Sequence, residues 1–150
     1  MSPDYYDTGI LLKLYTVEPE SPQVHRFVTK RNRPIPVSEL HLSEAVSAFR
    51  LKQFRKECSP TQAADAIALL ESDLRSRLLC VVDMDWTTIW ASCRMLAQAE
   101  AGKCGARTLD TLHVACALSL HASLFVTSDK RQSMLARICG LRVANPAARR

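Results

Sequence analysis

The chain has 150 residues, of which 47% are hydrophobic, and its formal net charge at pH 7 is +5. This composition suits a single domain, residues 1–150, with a real core, and it excludes a disordered chain and a fibrous repeat. No apolar run approaches the ~20 residues of a membrane span, and no secretion signal is recognisable, so we expect a cytoplasmic protein. The positive charge favours a polyanionic partner such as nucleic acid.

Strand and helix patterns alternate along the chain. Short apolar runs predict strands at residues 3–6, 35–37, 78–82, 124–127 and 141–143, the third of them buried. Helical patterns, several of them opened by a Ser or Asp cap, cover residues 8–15, 22–29, 39–56, 60–77, 86–101, 108–121 and 130–138. We expect Gly102 and Gly105 to bracket a loop. Strands separated by helices predict an α/β fold, a three-layer α/β/α sandwich with a central, mainly parallel sheet.

Four carboxylates, those of Asp7, Glu44, Asp110 and Asp129, stand within or at the end of apolar segments. Asp7 and Asp129 follow predicted strands, and the carboxyl ends of parallel strands are where α/β folds place their sites. Asp110 lies in the first turn of a helix, and Glu44 faces inward by helical periodicity. Acids among so few polar neighbours are costly to bury without a compensating cation. A divalent metal ion, Mg²⁺ or Mn²⁺, is the simplest explanation.

Each of these acids also has a purely structural explanation. Asp7, Asp110 and Asp129 each stand where a helix begins, and aspartate is a preferred residue at helix starts. A buried arginine partner would explain Glu44 equally well. The metal interpretation rests on the convergence of all four acids at one end of one sheet.

Two further features favour packing over chemistry. His113 stands three residues after Asp110, but its apolar helix and the preference of hard cations for oxygen favour a structural histidine. Trp86 and Trp90 lie one helical turn apart, which favours core or dimer packing over base stacking. The cysteines show no C-x-x-C spacing and resemble reduced core thiols; they are Cys58, Cys80, Cys93, Cys104, Cys116 and Cys139.

Basic residues are clustered at 30–33, at 50–56 and at 149–150. Each single cluster is explained by solubility more simply than by binding. A basic surface around an acidic pocket would be more informative, because an enzyme that cleaves phosphodiesters needs both.

A second acidic motif offers an alternative to the four-acid metal site. Asp83 and Asp85 follow an apolar strand in the pattern D-x-D-x-T, which resembles the signature of haloacid-dehalogenase-type phosphatases. There Asp83 would be the nucleophile and Asp85 the general acid. That motif normally opens its domain, however, and the chain after it lacks a second acidic pair for Mg²⁺. Asp85 is explained better as a helix cap.

The chain resembles the PIN-domain family, and within it the VapC-type toxin ribonucleases of toxin–antitoxin pairs. Four blocks carry the resemblance, and each contains one of the four acids: residues 6–8, 37–44, 107–115 and 125–132. The last two blocks, at their mutual distance, are specific. One departure is Gly9, where the family commonly has a serine, which leaves Thr8 as the local hydroxyl.

The resemblance implies a metal-dependent endoribonuclease of PIN-like fold. Asp7, Asp110 and Asp129 would hold Mg²⁺ or Mn²⁺, and Glu44 would bind a second ion or orient a water molecule. Thr8 and Thr127 would support the ligands through hydrogen bonds. The implied partners are an RNA substrate, a cognate antitoxin and a second copy of the chain in a homodimer. A catalytically silent PIN-like binding module is the alternative.

Overall fold

The computed structural model describes residues 2–148. Its strands are β1 (Asp4–Tyr6), β2 (Ile35–Val37), β3 (Leu79–Val81), β4 (Leu124–Val126) and β5 (Val143–Ala144). Its α-helices are α1 (Thr8–Leu12), α2 (Ser21–Arg31), α3 (Glu39–Phe54), α4 (Pro60–Arg75), α5 (Trp86–Leu96), α6 (Gly102–Cys104), α7 (Thr108–Ser119) and α8 (Lys130–Ile138). A π-helical segment, Ala97–Ala101, joins α5 to α6.

The central sheet is parallel and has two hydrogen-bonded parts. One part has the strand order β1-β4-β5 and the other pairs β2 with β3. In the first part Tyr6 is in register with Val126, and the Asp7 amide continues the ladder by donating to the Val126 carbonyl at 3.0 Å. The register therefore places Asp7 beside Thr127, each one residue beyond the last paired position.

Alternation along β1 sends consecutive tyrosines to opposite faces of the sheet. Tyr6 belongs to a core built with α1, α2, α3 and α4. Tyr5 and Phe125 stack with ring centroids 5.5 Å apart in the other core, which α5, α7 and α8 complete. Helices thus cover both faces, and the predicted three-layer α/β/α sandwich is confirmed.

No hydrogen-bonded ladder joins β1 to β2 within residues 2–148, although the two strands are neighbours. A side chain bridges them instead. The buried imidazole of His41 donates from Nε2 to the Tyr6 carbonyl at 3.0 Å, while its Nδ1 accepts from the Ser38 amide at 3.1 Å. The neutral ring thus links the start of α3 to β1.

Three predictions from the pattern were wrong in part. Gly102 lies in a helix, not a loop; the helical path continues to Cys104 and ends at Gly105, whose φ of 67° is left-handed. The third strand lies at the end of the β2-β3 pair, so it is not fully buried, and Leu78 and Val81 are 60% and 55% exposed. Helix α1 ends at Leu12, because a turn replaces the predicted last residues.

The remaining predictions concern the cysteines, a membrane span and the basic pair near the end of the chain. All six cysteines are unpaired, as expected, with Cys93 and Cys116 buried and the others partly buried. Within residues 2–148 no helix is both long and apolar enough to cross a bilayer. The basic pair at 149–150 lies outside the described residues.

Candidate active site at the carboxyl ends of β1 and β4

Three of the four predicted acids are at helix starts. Asp7 caps α1 by accepting from the Ile10 amide at 2.7 Å, and Asp129 caps α8 by accepting from the Arg131 amide at 2.8 Å. Asp110, in the first turn of α7, accepts from the Arg107 amide at 2.8 Å. Each of these contacts uses one carboxylate oxygen. The capping explanation is therefore correct for all three, and it also fixes the direction of each carboxylate beside the positive end of a helix.

Thr127 links two of these aspartates. Its hydroxyl donates to Asp7 Oδ2 at 2.5 Å and accepts from the Asp129 amide at 2.9 Å. Asp7 is 3% exposed, and burial raises the pKa of its carboxyl despite the hydrogen bonds from Thr127 and Ile10. The negative charge of Asp129 raises the Asp7 pKa further. The ionised form of Asp7 thus lacks full compensation in this environment.

Gln132 joins the third aspartate to the same network. Its Nε2 donates to Asp110 Oδ1 at 3.3 Å, and its Oε1 lies 3.4 Å from the Thr127 hydroxyl. Asp110 is 4% exposed. Its other oxygen lies 3.6 Å from the guanidinium of Arg107, an exposed side chain at the rim. The single hydroxyl hydrogen of Thr127 goes to Asp7, so its approach to Gln132 Oε1 is a polar contact between two oxygens. Polar contacts thus connect Asp110, Gln132, Thr127 and Asp7 in sequence.

Glu44 approaches this network from the helix on the other side of β1. Its Oε1 accepts from the Thr8 hydroxyl at 2.9 Å and lies 2.7 Å from His113 Nε2. On the far side of the imidazole, His113 Nδ1 lies 2.7 Å from the Tyr5 hydroxyl. Burial by itself would raise the pKa of Glu44, but the hydrogen bonds from His113 and Thr8 outweigh it and lower that pKa. Glu44 is therefore an ionised, oriented carboxylate at neutral pH.

The structure links Asp7, Asp110 and Asp129, leaves Glu44 with Thr8 and His113, and does not gather the four acids into one metal-binding cluster. Within residues 2–148, no three His, Cys, Asp or Glu side chains stand together as a ligand set. The donors nevertheless fit a hard divalent cation, because all four predicted residues offer carboxylate oxygens and the ionised form of the buried Asp7 lacks full compensation. Each of the four carboxylates accepts hydrogen bonds from amide, hydroxyl or imidazole donors, which offsets their mutual repulsion.

The glycine that departs from the family pattern lies over the first aspartate. A Cβ added at Gly9 would stand 3.6 Å from Asp7 Oδ1 and 3.7 Å from Oδ2, which is ordinary van der Waals contact. A side chain at position 9 would thus touch the Asp7 carboxylate without displacing it.

Sequence reasoning missed two residues of the site. His113 was interpreted as a structural histidine, yet it is the hydrogen-bond partner of Glu44 across 69 positions of sequence. Gln132 carried no signal beyond its place in the first turn of α8, where its amide is also capped by Asp129. The one available clue to His113 was its position one helical turn after Asp110, on the buried side of α7.

The competing phosphatase motif is not assembled. Asp83 is exposed after β3, and Asp85 caps α5 by accepting from the Thr88 amide at 3.1 Å and its hydroxyl at 2.6 Å. The role of Asp85 as a helix cap is confirmed. Trp86 packs against the core of α5 and α7, whereas Trp90 is 46% exposed.

Comparison with known proteins assigns the fold. The profile of the PIN domain matches residues 5–139, and the chain belongs to this family. Comparison with curated protein sequences finds no significant match.

Several solved structures share the fold at low sequence identity. VapBC2 from Rickettsia felis, crystallised with a DNA fragment from its promoter, matches with a TM-score of 0.65 and 19% identity over 95% of this chain and 97% of that chain. VapBC-1 from nontypeable Haemophilus influenzae gives 0.63 and 20% over 97% and 98%. FitAcB from Neisseria gonorrhoeae gives 0.63 and 15% over 95% and 97%.

Proposed function

We propose that this PIN-domain protein is a metal-dependent endoribonuclease, the toxin of a toxin–antitoxin pair, which hydrolyses RNA phosphodiester bonds. The observation that carries the proposal is the network of polar contacts among Asp7, Thr127, Gln132 and Asp110 at the carboxyl ends of β1 and β4. Asp129 adjoins it through its amide. Such a concentration of buried carboxylates is costly unless a cation or a proton compensates it.

Asp7, Asp110 and Asp129 are the residues that would hold Mg²⁺ or Mn²⁺. When bound, the cation would activate water as the nucleophile and stabilise the negative charge that develops on the phosphate. Thr127 keeps the Asp7 carboxylate in place by donating to Oδ2, and Gln132 does the same for Asp110 Oδ1. The helix-start amides of Ile10 and Arg107 hold the other oxygens of these two carboxylates.

We assign to Glu44 the role of orienting the attacking water molecule or accepting its proton. Within the described residues both of its hydrogen bonds fall on Oε1, from Thr8 and His113. Its Oε2 is thus the atom suited to accept a hydrogen bond or a proton from an attacking water molecule. The lowered pKa of Glu44 keeps it ionised for this role at neutral pH.

The test is cleavage of total RNA by the purified protein with Mg²⁺, followed by sequencing of the new ends. We expect EDTA, Asp7→Asn and Asp110→Asn each to remove cleavage. Asparagine is the appropriate replacement because its side-chain oxygen still caps a helix. Asp83→Asn makes the same change at an exposed acid outside the network and should keep full activity. Full-rate cleavage after EDTA treatment or in Asp7→Asn would overturn the proposal.

A catalytically silent binding module is the second candidate. The observation in its favour is that no three-residue ligand cluster is present within residues 2–148. Calorimetric titration with MgCl₂ and MnCl₂ separates the two candidates. A nuclease should bind the metal at a site that Asp7→Asn weakens, whereas a silent module should give no such heat.

Two protein partners and a location complete the proposal. We infer a cognate antitoxin from the resemblance to VapC-type toxins, and the fold similarity to VapBC and FitAcB structures supports it. We infer a homodimer from exposed apolar side chains on α5 and at the start of α7, namely Trp90, Met95 and Leu109. A cytoplasmic location is supported by the six unpaired cysteines. Light scattering of the purified protein tests the dimer.

A further inference from the structure

A basic groove of about 850 Å³ lies between α2 and the segment that follows β5. Helix α2 contributes one wall through Gln23, Arg26, Phe27 and Lys30. The other wall consists of residues at the end of the described chain: Ala144, Asn145, Pro146 and Ala148. The volume is within the range of about 300–1,000 Å³ typical of ligand sites.

The wall on α2 has the spacing of a single helix face. Its four residues stand at positions i, i+3, i+4 and i+7, which project from the same side of a helix. Arg26 and Lys30 are exposed, and within residues 2–148 neither forms an ion pair. No described lining residue is acidic. The groove therefore presents two uncompensated positive charges one helical turn apart.

The side-chain oxygen of Gln23 is a second, independent observation in the wall on α2. Its Oε1 is buried and has no hydrogen-bond partner within the described residues, the one such side-chain atom there. Buried side-chain oxygens are nearly always hydrogen-bonded, and leaving one unsatisfied costs about 1–3 kcal/mol. Because Gln23 lines the groove, rotation of its side chain would bring this oxygen to a ligand that carries hydrogen-bond donors as well as negative charge.

Two contacts connect the residues that line the groove to the candidate active site. At its outer wall the Ala144 carbonyl accepts from the Thr127 amide at 3.0 Å, and Thr127 in turn donates to Asp7. At its floor Phe27 packs edge-to-face on Tyr6, with ring centroids 6.4 Å apart, and Tyr6 precedes Asp7. Tyr6 is buried, so the Phe27 contact is a packing contact through the core. The Ala144 contact places one end of the groove beside Thr127, and hence beside the acidic network.

We propose that this groove binds the sugar–phosphate backbone of the single-stranded RNA substrate beside the scissile bond. The proposal rests on the proposed nuclease function and adds the place where the substrate is held. Phosphates would pair with Arg26 and Lys30, and 2′-hydroxyl or base amino donors would satisfy Gln23. Phe27 offers an aromatic surface at the floor. A purely apolar partner would leave both cations and the Gln23 oxygen uncompensated.

The test is the binding of a fluorescein-labelled single-stranded oligoribonucleotide, measured by anisotropy in EDTA, where cleavage is absent. Loss of two phosphate contacts should reduce the slope of log K against log[salt] by about 1.4, which is roughly a 25-fold loss of affinity at 0.1 M salt. We expect this in Arg26→Ala/Lys30→Ala. The charge-retaining exchange Arg26→Lys/Lys30→Arg should restore most of the affinity.

The matched control is Arg55→Ala/Arg75→Ala, which removes two exposed charges from residues that do not line the groove. It should leave the affinity within about twofold of the wild type. Should the two double variants weaken binding equally, or neither weaken it, the groove has no part in RNA binding. The groove likewise has no part in RNA binding if Arg26→Ala/Lys30→Ala weakens only the binding of a protein partner.

These outcomes stay distinct from those of the nuclease proposal. Asp7→Asn should keep RNA binding in EDTA and lose cleavage in Mg²⁺. If instead EDTA-treated wild-type protein cleaves RNA while the groove variants lose binding, the metal mechanism fails and the groove proposal stands.

Discussion

His113 Nε2 lies 2.7 Å from Glu44 Oε1, and this contact joins a fully buried ring to a carboxylate at the edge of the candidate site. The imidazole also meets the Tyr5 hydroxyl at 2.7 Å, so its orientation is fixed from both sides. His113 is a positioning residue for Glu44, because its one contact with the acids is with that side chain's oxygen.

Replacement of His113 therefore tests the role of Glu44. We expect His113→Leu to lower the rate of RNA cleavage about 10- to 100-fold, the range for lost support of a functional ligand. His113→Gln should retain more activity, because its amide nitrogen can donate to Glu44 in place of Nε2. The loss of the hydrogen bond should also raise the Glu44 pKa, so the acidic limb of the pH–rate profile should move upward in His113→Leu. Equal activity and an unmoved profile in the two variants would contradict this assignment.

Thr127 allows a similar test on Asp7. Thr127→Val keeps the shape of the side chain but removes the donor to Asp7 and the acceptor for the Asp129 amide. We expect a loss of about 1–3 kcal/mol in the free energy of unfolding, because buried polar groups lose their partners. The affinity for Mn²⁺, measured by calorimetry, should fall about 10- to 100-fold. Thr127→Ser keeps the hydroxyl and is the control; if it behaved like Thr127→Val, the methyl group would be the cause.

Substitutions of Gly9 test the departure from the family pattern. Since a Cβ there makes only ordinary contact with Asp7, Gly9→Ala should fold and gain about 0.5–1 kcal/mol from its better helix propensity. Gly9→Ser should bring a hydroxyl beside Asp7 and increase the affinity for Mg²⁺ relative to Gly9→Ala. Thermal unfolding and calorimetry measure the two effects. A loss of stability in Gly9→Ala would show that the space over Asp7 is smaller than the contact distances indicate.

The buried ring of His41 predicts a pH dependence of stability. Burial lowers the pKa of His41 to about 3, and the positive charge of a protonated His113 lowers it further. The unfolded chain binds this proton near pH 6.5, whereas the folded chain does not. The stability that His41 contributes is thus complete above pH 6.5 and is lost as the pH falls toward 3, by up to about 1.4 kcal/mol per pH unit. Urea unfolding between pH 7 and 5 should show this slope in the wild type, and His41→Gln should reduce it; an unchanged slope would exclude His41 as its source.

Asp4 and Arg31 form a further testable pair at the start of β1. The guanidinium donates to both carboxylate oxygens, at 2.6 Å and 2.7 Å, and Asp4 is 5% exposed. We expect Arg31→Met to cost about 2–3 kcal/mol, somewhat below the cost for a fully buried pair, because it leaves the Asp4 charge without its partner. The double variant Asp4→Leu/Arg31→Met should recover much of that loss. Additive losses in the double-mutant cycle would show that the two side chains are not coupled.

Local signals account for what could be predicted of this structure. Ser38, Ser59 and Asp85 start helices where capping chemistry predicts them, and the parallel strands follow from their alternation with helices. The inward direction of Glu44 follows from helical periodicity, and its side chain is indeed only 25% exposed. Helix ends were less accurate: α3, α4 and α7 each end two residues earlier than predicted, because the last turn carries no strong stop signal.

Long-range contacts account for the rest. The partner of Glu44 comes from a helix 69 positions away, and no local pattern distinguishes that histidine from one that merely fills the core. Gln132 meets Asp110 only because α8 packs beside α7. A regular helix was predicted up to residue 101, but residues Ala97–Ala101 form a π-helical segment. The exposure of β3 depends on its place in the sheet. The metal-binding roles of the acids remain predictions, since they depend on a cation that would draw the carboxylates together.

The imidazole bridge between β1 and β2 has a mechanical consequence. Glu44 belongs to α3, on the β2 side of that join, whereas Asp7, Asp110 and Asp129 belong to the β1-β4 side. Local opening at this seam, where the amide ladder is interrupted, would break the Glu44 hydrogen bonds to Thr8 and His113 and separate the fourth acid from the other three before global unfolding. Amide hydrogens flanking the seam should then exchange with deuterium faster than those between β1 and β4, and enzymatic competence should fade on heating ahead of global melting.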